Sequence, residues 1–160
     1  MKSILLLLLI TVSLATFSQT YEKAISFSAG WSAFNSKSLS LACEKPIRNG
    51  NYIGVYTEIL YYNNSKKLSP LKSLQKQYFG GLFYKPLIAS SRNFAHYALI
   101  GAAAGSSDNK FVYYPLTGLE QIFYVSPTTR IFIREELDYL FKEDKPWQPF
   151  IKAGLKFKLN

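Results

Sequence analysis

Apolar and polar residues alternate one by one along most of this chain, most cleanly at its end. Ile151, Ala153, Leu155, Phe157 and Leu159 interleave with Lys152, Gly154, Lys156 and Lys158. A repeat of two is the signature of a strand, whose successive side chains point to opposite faces. The same pattern predicts eight strands, at residues 22–32, 37–45, 51–63, 75–87, 94–104, 111–125, 128–141 and 148–160. In the first, Ile25, Phe27, Ala29 and Trp31 oppose Ala24, Ser26, Ser28 and Gly30; in the second, Leu39, Leu41 and Cys43 oppose Ser38, Ser40, Ala42 and Glu44. In the third, Ile53, Val55, Thr57, Ile59 and Tyr61 oppose Tyr52, Gly54, Tyr56 and Glu58. The fourth is aromatic on both faces and its phase is unclear; the fifth is rich in small residues. In the sixth, Leu119, Phe123 and Val125 oppose Gly118, Glu120 and Ile122. In the seventh, Ile131, Ile133, Leu137 and Tyr139 oppose Arg130, Arg134, Glu136 and Asp138.

These strands exceed the five or six residues usual in soluble sheets and suit tilted membrane-spanning strands, which need about nine to eleven. The connections around Pro46–Gly50 and Ser126-Pro127 carry turn residues, whereas residues 64–74 and 142–146 form longer, lysine-containing links. Short turns at one end and longer loops at the other match an up-and-down outer-membrane barrel with both termini in the periplasm. The tight turn at residues 33–36 is the exception. A soluble lipocalin-like barrel has eight strands too, with the apolar face turned inward. Alternation alone does not choose between them. Trp31, Tyr61, Tyr62, Tyr113, Tyr124, Tyr139, Phe141, Trp147 and Phe150 lie near predicted strand ends, as interfacial girdles do. Glu135 opposes the membrane reading, because it shares the phase of Ile133 and Leu137.

The start of the chain points to export. Met1-Lys2 precedes an apolar run through Ile10 and on to Ala15, followed by small and polar residues. This is the layout of a cleaved secretory signal. Its core is shorter than the roughly 20 residues a membrane helix needs. We therefore read residues 1–18 as a signal peptide and residues 19–160 as a single β-barrel domain of about 140 residues. Tyr and Phe number 12 each and aromatics make up 16% of the chain, which favours surfaces with one wet and one apolar side. The net charge is +9, but the lysines are dispersed over loops and the polar strand face. The composition therefore predicts no direct nucleic-acid contact. The single Cys43 excludes an internal disulfide.

Candidate chemistry is sparse. With one histidine, His96, no multi-histidine metal site can form, and no serine motif surrounds it. We predict no catalytic, cofactor-binding or metal residues, and no enzyme. Glu58, Glu120, Arg134, Glu136, Lys152 and Lys156 share the inward phase. They are expected to form a lumen charge network, because small barrels fill their interior with side chains and buried charges must pair.

The terminal stretch from Lys152 to Leu159 resembles the insertion signal of outer-membrane barrels: polar Lys152, then Gly154, then the large apolar Phe157 and Leu159. The chain also resembles the TraO family of conjugal transfer proteins, carried by conjugative transposons of Bacteroidetes-type bacteria. The similar stretches are Glu58-Ile59-Leu60-Tyr61-Tyr62, residues 77–84, Gly118-Leu119-Glu120 with Tyr124-Val125-Ser126, Arg130 through Glu136, and the ending Gly154 to Asn160. Arg134-Glu135-Glu136 stands where the resemblance leads one to look for a second arginine. The resemblance implies an exported, non-enzymatic accessory of the mating apparatus. Its expected partners are outer-membrane lipid and other envelope proteins of that apparatus. A small barrel for adhesion or envelope integrity, and a soluble periplasmic ligand-binding barrel, are the competing expectations.

Overall fold

The computed structural model describes residues 22–34, 36–63, 74–107, 110–139, 141 and 146–159. The signal-peptide reading falls outside the described residues. Nine strand segments follow in order: β1 (Ala24–Ser32), β2 (Ser36–Pro46), β3 (Tyr52–Asn63), β4 (Leu74–Lys85), β5 (Leu87–Ser90), β6 (Phe94–Ser107), β7 (Lys110–Tyr124), β8 (Thr129–Tyr139) and β9 (Trp147–Lys158). β4 and β5 both pair with β6 and form one strand of the barrel, interrupted at Pro86. Proline has no N–H to give to the ladder. Its carbonyl still accepts from Ala98 N–H at 3.0 Å, and a register shift between Leu87 and Ala89 follows. β1 pairs along its length with β9, from Ala24↔Lys158 to Ser32↔Phe150. The sheet is therefore a closed, eight-stranded antiparallel up-and-down β-barrel. Closure leaves no free edge.

The strands are strongly tilted. From Glu135 one row of paired residues runs through Ile151, Trp31, Lys37 and Tyr61 to Lys76. In the other direction it runs through Leu119 and Ala98 to Pro86. The row meets the fourth strand of the barrel at two points ten residues apart, Lys76 and Pro86. Such a stagger is the shear that tilts strands in a closed barrel. Glu135 lies near the middle of β8.

One end of the barrel carries the chain termini and the connections β2–β3, β5–β6 and β7–β8, while the opposite end has two short connections, at residues 33–35 and 108–109, beside its longer ones. Asn49 and Gly50 take positive φ between β2 and β3. Ser126 Oγ accepts from Thr128 N–H at 3.2 Å and Thr129 N–H at 2.9 Å between β7 and β8. The chain ends meet here too: Leu159 N–H donates to the Lys23 carbonyl at 2.8 Å, and Lys158 pairs with Glu22. We call this the turn end and its opposite the loop end.

The exterior is apolar. Phe27, Leu39, Val55, Leu82, Ile100, Ile133, Ile151 and Leu155 are all exposed. The interior holds Tyr56, Leu60, Phe79, Phe83, Leu99, Tyr114 and Phe150 in one packed cluster, and Tyr52, Tyr97, Ile122 and Phe132 in a second. The inward-facing charged residues, among them Glu58, Lys85, Glu120, Arg134, Lys152 and Lys156, sit between and among these rings and are buried. A soluble lipocalin-like barrel has the opposite polarity, so that alternative is set aside. Two girdle assignments also change. Phe150 is buried and points inward, and Tyr124 packs against the second inner cluster. The aromatics that do gather outside form a row at the loop end, with ring centroids 4.8 Å apart for Tyr113–Phe141, 4.9 Å for Tyr139–Phe141 and 4.7 Å for Tyr139–Trp147.

Candidate functional site

Because side chains alternate along a strand, each strand delivers its charges to the lumen at every second position. β2 supplies Glu44, β3 Glu58, β4 Lys85, β7 Glu120, β8 Arg134, Glu136 and Asp138, and β9 Lys152 and Lys156, none more than 4% exposed. The six residues singled out in the sequence, Glu58, Glu120, Arg134, Glu136, Lys152 and Lys156, all lie here.

They fall into two linked clusters. Toward the turn end, Lys85 Nζ stands 2.6 Å from Glu44 Oε1 and 2.6 Å from Glu120 Oε1. Lys156 Nζ spans the same two carboxylates at 2.9 Å and 2.8 Å. Arg134 donates to Glu120 Oε2 from Nε at 2.9 Å and from Nη2 at 2.6 Å. Toward the loop end, Lys152 Nζ lies 2.6 Å from Glu58 Oε1 and 2.7 Å from Glu136 Oε1. Arg134 joins the clusters, with Nη1 3.6 Å from Glu136 Oε2. The hydroxyl of Tyr114 donates to Glu58 Oε2 at 3.1 Å and accepts from the Tyr56 hydroxyl at 3.3 Å.

Aromatic faces line the cations. Lys85 lies 5.3 Å from the Phe83 centroid, Lys156 5.2 Å from Phe132, Lys152 5.3 Å from Phe150 and Arg134 5.4 Å from Phe132. The ring quadrupole offsets part of the cost of desolvating a cation. Some of these bonds join neighbouring strands, as Arg134 to Glu120 does, and others reach past them: Lys156 meets Glu44 across the intervening β1. Such a network, with its polar atoms largely satisfied, rigidifies and specifies a core. The four glutamates are engaged by lysine, arginine and tyrosine inside a filled lumen, an arrangement that braces the barrel.

Three members escaped the sequence-based network. Glu44 and Asp138 have the inward phase, so alternation was the available signal. Lys85 was hidden by the aromatic character of both faces of its strand; pairing sets Gln77, Phe79, Phe83 and Lys85 inward and Tyr78, Leu82 and Tyr84 outward. Of the insertion-signal residues, Lys152 and Gly154 face inward, whereas Phe157 and Leu159 are exposed on the outside at the turn end. His96 faces outward, edge-on to Phe94 at 5.1 Å. Cys43 is exposed on the apolar exterior. Glu135 is exposed among Ile133, Leu137, Leu119 and Ile151, with no bulge to turn it inward.

No protein-family model matches the chain, and no characterised protein matches it by sequence. Solved structures do match in fold. A de novo designed transmembrane β-barrel superposes with a TM-score of 0.63 at 13% identity, covering 90% of this chain and 100% of the design. The outer membrane protein Ail of Yersinia pestis, in a phospholipid bilayer nanodisc, gives 0.60 at 14% identity, with 88% and 100% covered. Neisserial surface protein A gives 0.59 at 14% identity, with 86% and 95% covered. The chain thus has the fold of the small outer-membrane β-barrels. Within that class it is an eight-stranded barrel whose lumen is filled by aromatic rings and a buried charge network.

Proposed function

We propose that this chain is a non-enzymatic outer-membrane barrel and a structural or docking component of a conjugative DNA-transfer apparatus. The observation that carries the membrane part is the polarity of the barrel. Its exterior is predominantly apolar, interrupted near mid-strand by Glu135, with an aromatic row at the loop end, and its lumen glutamates are paired with lysine and arginine inside. A soluble protein exposing this much apolar surface would aggregate. The filled lumen argues against a diffusion pore and leaves the loops and outer wall as working surfaces. The role in transfer is supported by the sequence resemblance to TraO proteins, strongest from Gly154 to Asn160.

Deleting the gene from a donor strain tests this reading. Mating frequency is expected to fall and to recover with the wild-type gene. Unchanged transfer would refute the role in conjugation. A second reading, adhesion or envelope integrity, is favoured by the fold shared with Ail, whose name denotes an attachment invasion locus protein. Under that reading the deletion strain transfers normally but loses host-cell attachment or detergent resistance. Fractionation bears on both: recovery of native protein from a detergent-free periplasmic extract would refute the membrane assignment.

A further inference from the structure

The outer wall at the loop end of β1 to β4 carries a row of side chains whose order is set by strand pairing. Trp31 pairs with Lys37, Lys37 with Tyr61, and Tyr61 with Lys76. All take the outward parity of their strands, and Trp31, Lys37 and Lys76 are exposed. Lys76 Nζ lies 5.9 Å from the centroid of the Tyr61 ring. The two lysines stand two strands apart, about 10 Å between backbones, with the ring between them. The carboxylates of β1 to β4, Glu44 and Glu58, both point into the lumen, where Lys85, Lys156 and Lys152 engage them. The link between β3 and β4 adds no acidic residue. This stretch of wall is therefore positively charged, with no counter-charge from the described residues of its own strands.

An apolar groove begins directly beneath. Two residues closer to the turn end, Ala29, Leu39, Ile59 and Tyr78 form the next outward row. With Phe27 and Gly80 they line a groove of about 1240 Å³ on the outer wall. The groove crosses β9, β1, β2, β3, β4 and β6 obliquely, so it has room for several acyl chains side by side.

In the proposed outer-membrane placement, with both termini in the periplasm, the loop end lies at the outer leaflet. Its lysines then reach the level of the head groups while their stems lie along apolar surface. Cation, aromatic ring and cation in a row match phosphate, sugar and phosphate in a head group. An ammonium binds phosphate as a point charge, and a tyrosine ring offers an apolar face with a wet tip. We propose that Trp31, Lys37, Tyr61 and Lys76, with the groove beneath them, bind a phosphorylated glycolipid of the outer leaflet that carries several acyl chains. This inference rests on the outer-membrane placement and not on a role in DNA transfer.

The test uses the purified barrel inserted into phosphatidylcholine vesicles with a trace of fluorescent diphosphorylated lipid A. Energy transfer from Trp31 and Trp147 reports enrichment of the probe around the barrel, and unlabelled lipids compete for it. Folding of each variant is read from the mobility of the unheated band. Diphosphorylated lipid A is expected to displace the probe at least about fivefold better than phosphatidylglycerol at equal phosphate, the scale of one lysine–phosphate contact at a membrane surface. Lys37→Gln combined with Lys76→Gln should abolish that preference. So should Gly80→Leu, which fills the groove without removing a charge. A Cβ at Gly80 has the Tyr56 carbonyl oxygen as its nearest neighbour, at 4.0 Å, so the barrel can fold around it. Lys45→Gln, exposed at the turn end of β2, should keep the preference. Equal competition by the two lipids, an unchanged preference in the double lysine variant or in Gly80→Leu, or its loss in Lys45→Gln overturns the proposal. Failure of the wild-type barrel to enter any vesicle would overturn the membrane assignment, and this proposal with it.

Discussion

Replacing Lys152 with methionine keeps most of the side-chain volume and removes the ammonium that joins Glu58 to Glu136. Both contacts are short, at 2.6 Å and 2.7 Å, and Lys152 is 1% exposed. Without it Glu58 keeps the Tyr114 hydroxyl, and the cation left to Glu136 is the guanidinium 3.6 Å away. Breaking a buried pair by removing one partner costs about 3–5 kcal/mol, because the other charge stays buried. With a urea dependence of about 2 kcal/mol per molar, the unfolding midpoint should fall by about 2 M. The assay is urea unfolding of the barrel in lipid vesicles, followed by tryptophan emission. Lys45→Met, at an exposed position on the outer face, serves as the control and should shift stability by no more than about 0.5 kcal/mol. Adding Glu58→Gln and Glu136→Gln to Lys152→Met should recover part of the loss, since the cost lies in the stranded carboxylates. A Lys152→Met midpoint within about 0.3 M of the Lys45→Met control would refute the claim that this network holds the barrel together.

Three further outcomes are expected. Glu135→Leu should stabilise the vesicle-inserted barrel by about 1 kcal/mol, since the carboxylate is exposed on the apolar exterior near mid-strand; a loss of stability in vesicle unfolding would mean that Glu135 has a favourable partner there. Gly154→Ala should destabilise by about 1–3 kcal/mol, because a Cβ at this inward position would collide with the Phe27 carbonyl oxygen and stand 2.8 Å from the Phe132 ring; an unchanged folded fraction at raised temperature would contradict it. Trp31 and Trp147 are 57% and 54% exposed on the outer wall, so brominated acyl chains should quench the emission strongly; equal emission in brominated and ordinary vesicles would exclude lipid contact.

Much of the architecture was legible because alternation is a local property. The inward and outward sets of β1, β2, β3, β8 and β9 follow from it residue by residue. β4 resisted, since Tyr78, Phe79, Phe83 and Tyr84 make both of its faces aromatic, and only pairing with β3 and β6 fixes which face holds Lys85. Nearness to a strand end misplaced Phe150 and Tyr124, whose parity turns them into the lumen. The partner of each charge was not legible either. Lys156 meets Glu44, 112 positions away in sequence, and Arg134 chooses Glu120 over the nearer Glu136 for its short bonds.

By itself the sequence determined a chain of strands, their approximate ends, the turn signals at Asn49-Gly50 and Ser126-Pro127, and the two-sided division of each strand. These rest on backbone geometry that acts over a few residues. Alternation is symmetric, however, and reads the same for a soluble barrel with an apolar interior as for a membrane barrel with a charged one. Only the tertiary structure decided which side is inside, by closing β1 onto β9 with a ten-residue stagger. Closure turns the face that bears the aromatic clusters and the charges inward and brings the charges of β2, β3, β4, β7, β8 and β9 into one lumen. Which carboxylate meets which amine, and why Asp138 meets none, depends on that curvature and stagger, which arise when the whole ring forms.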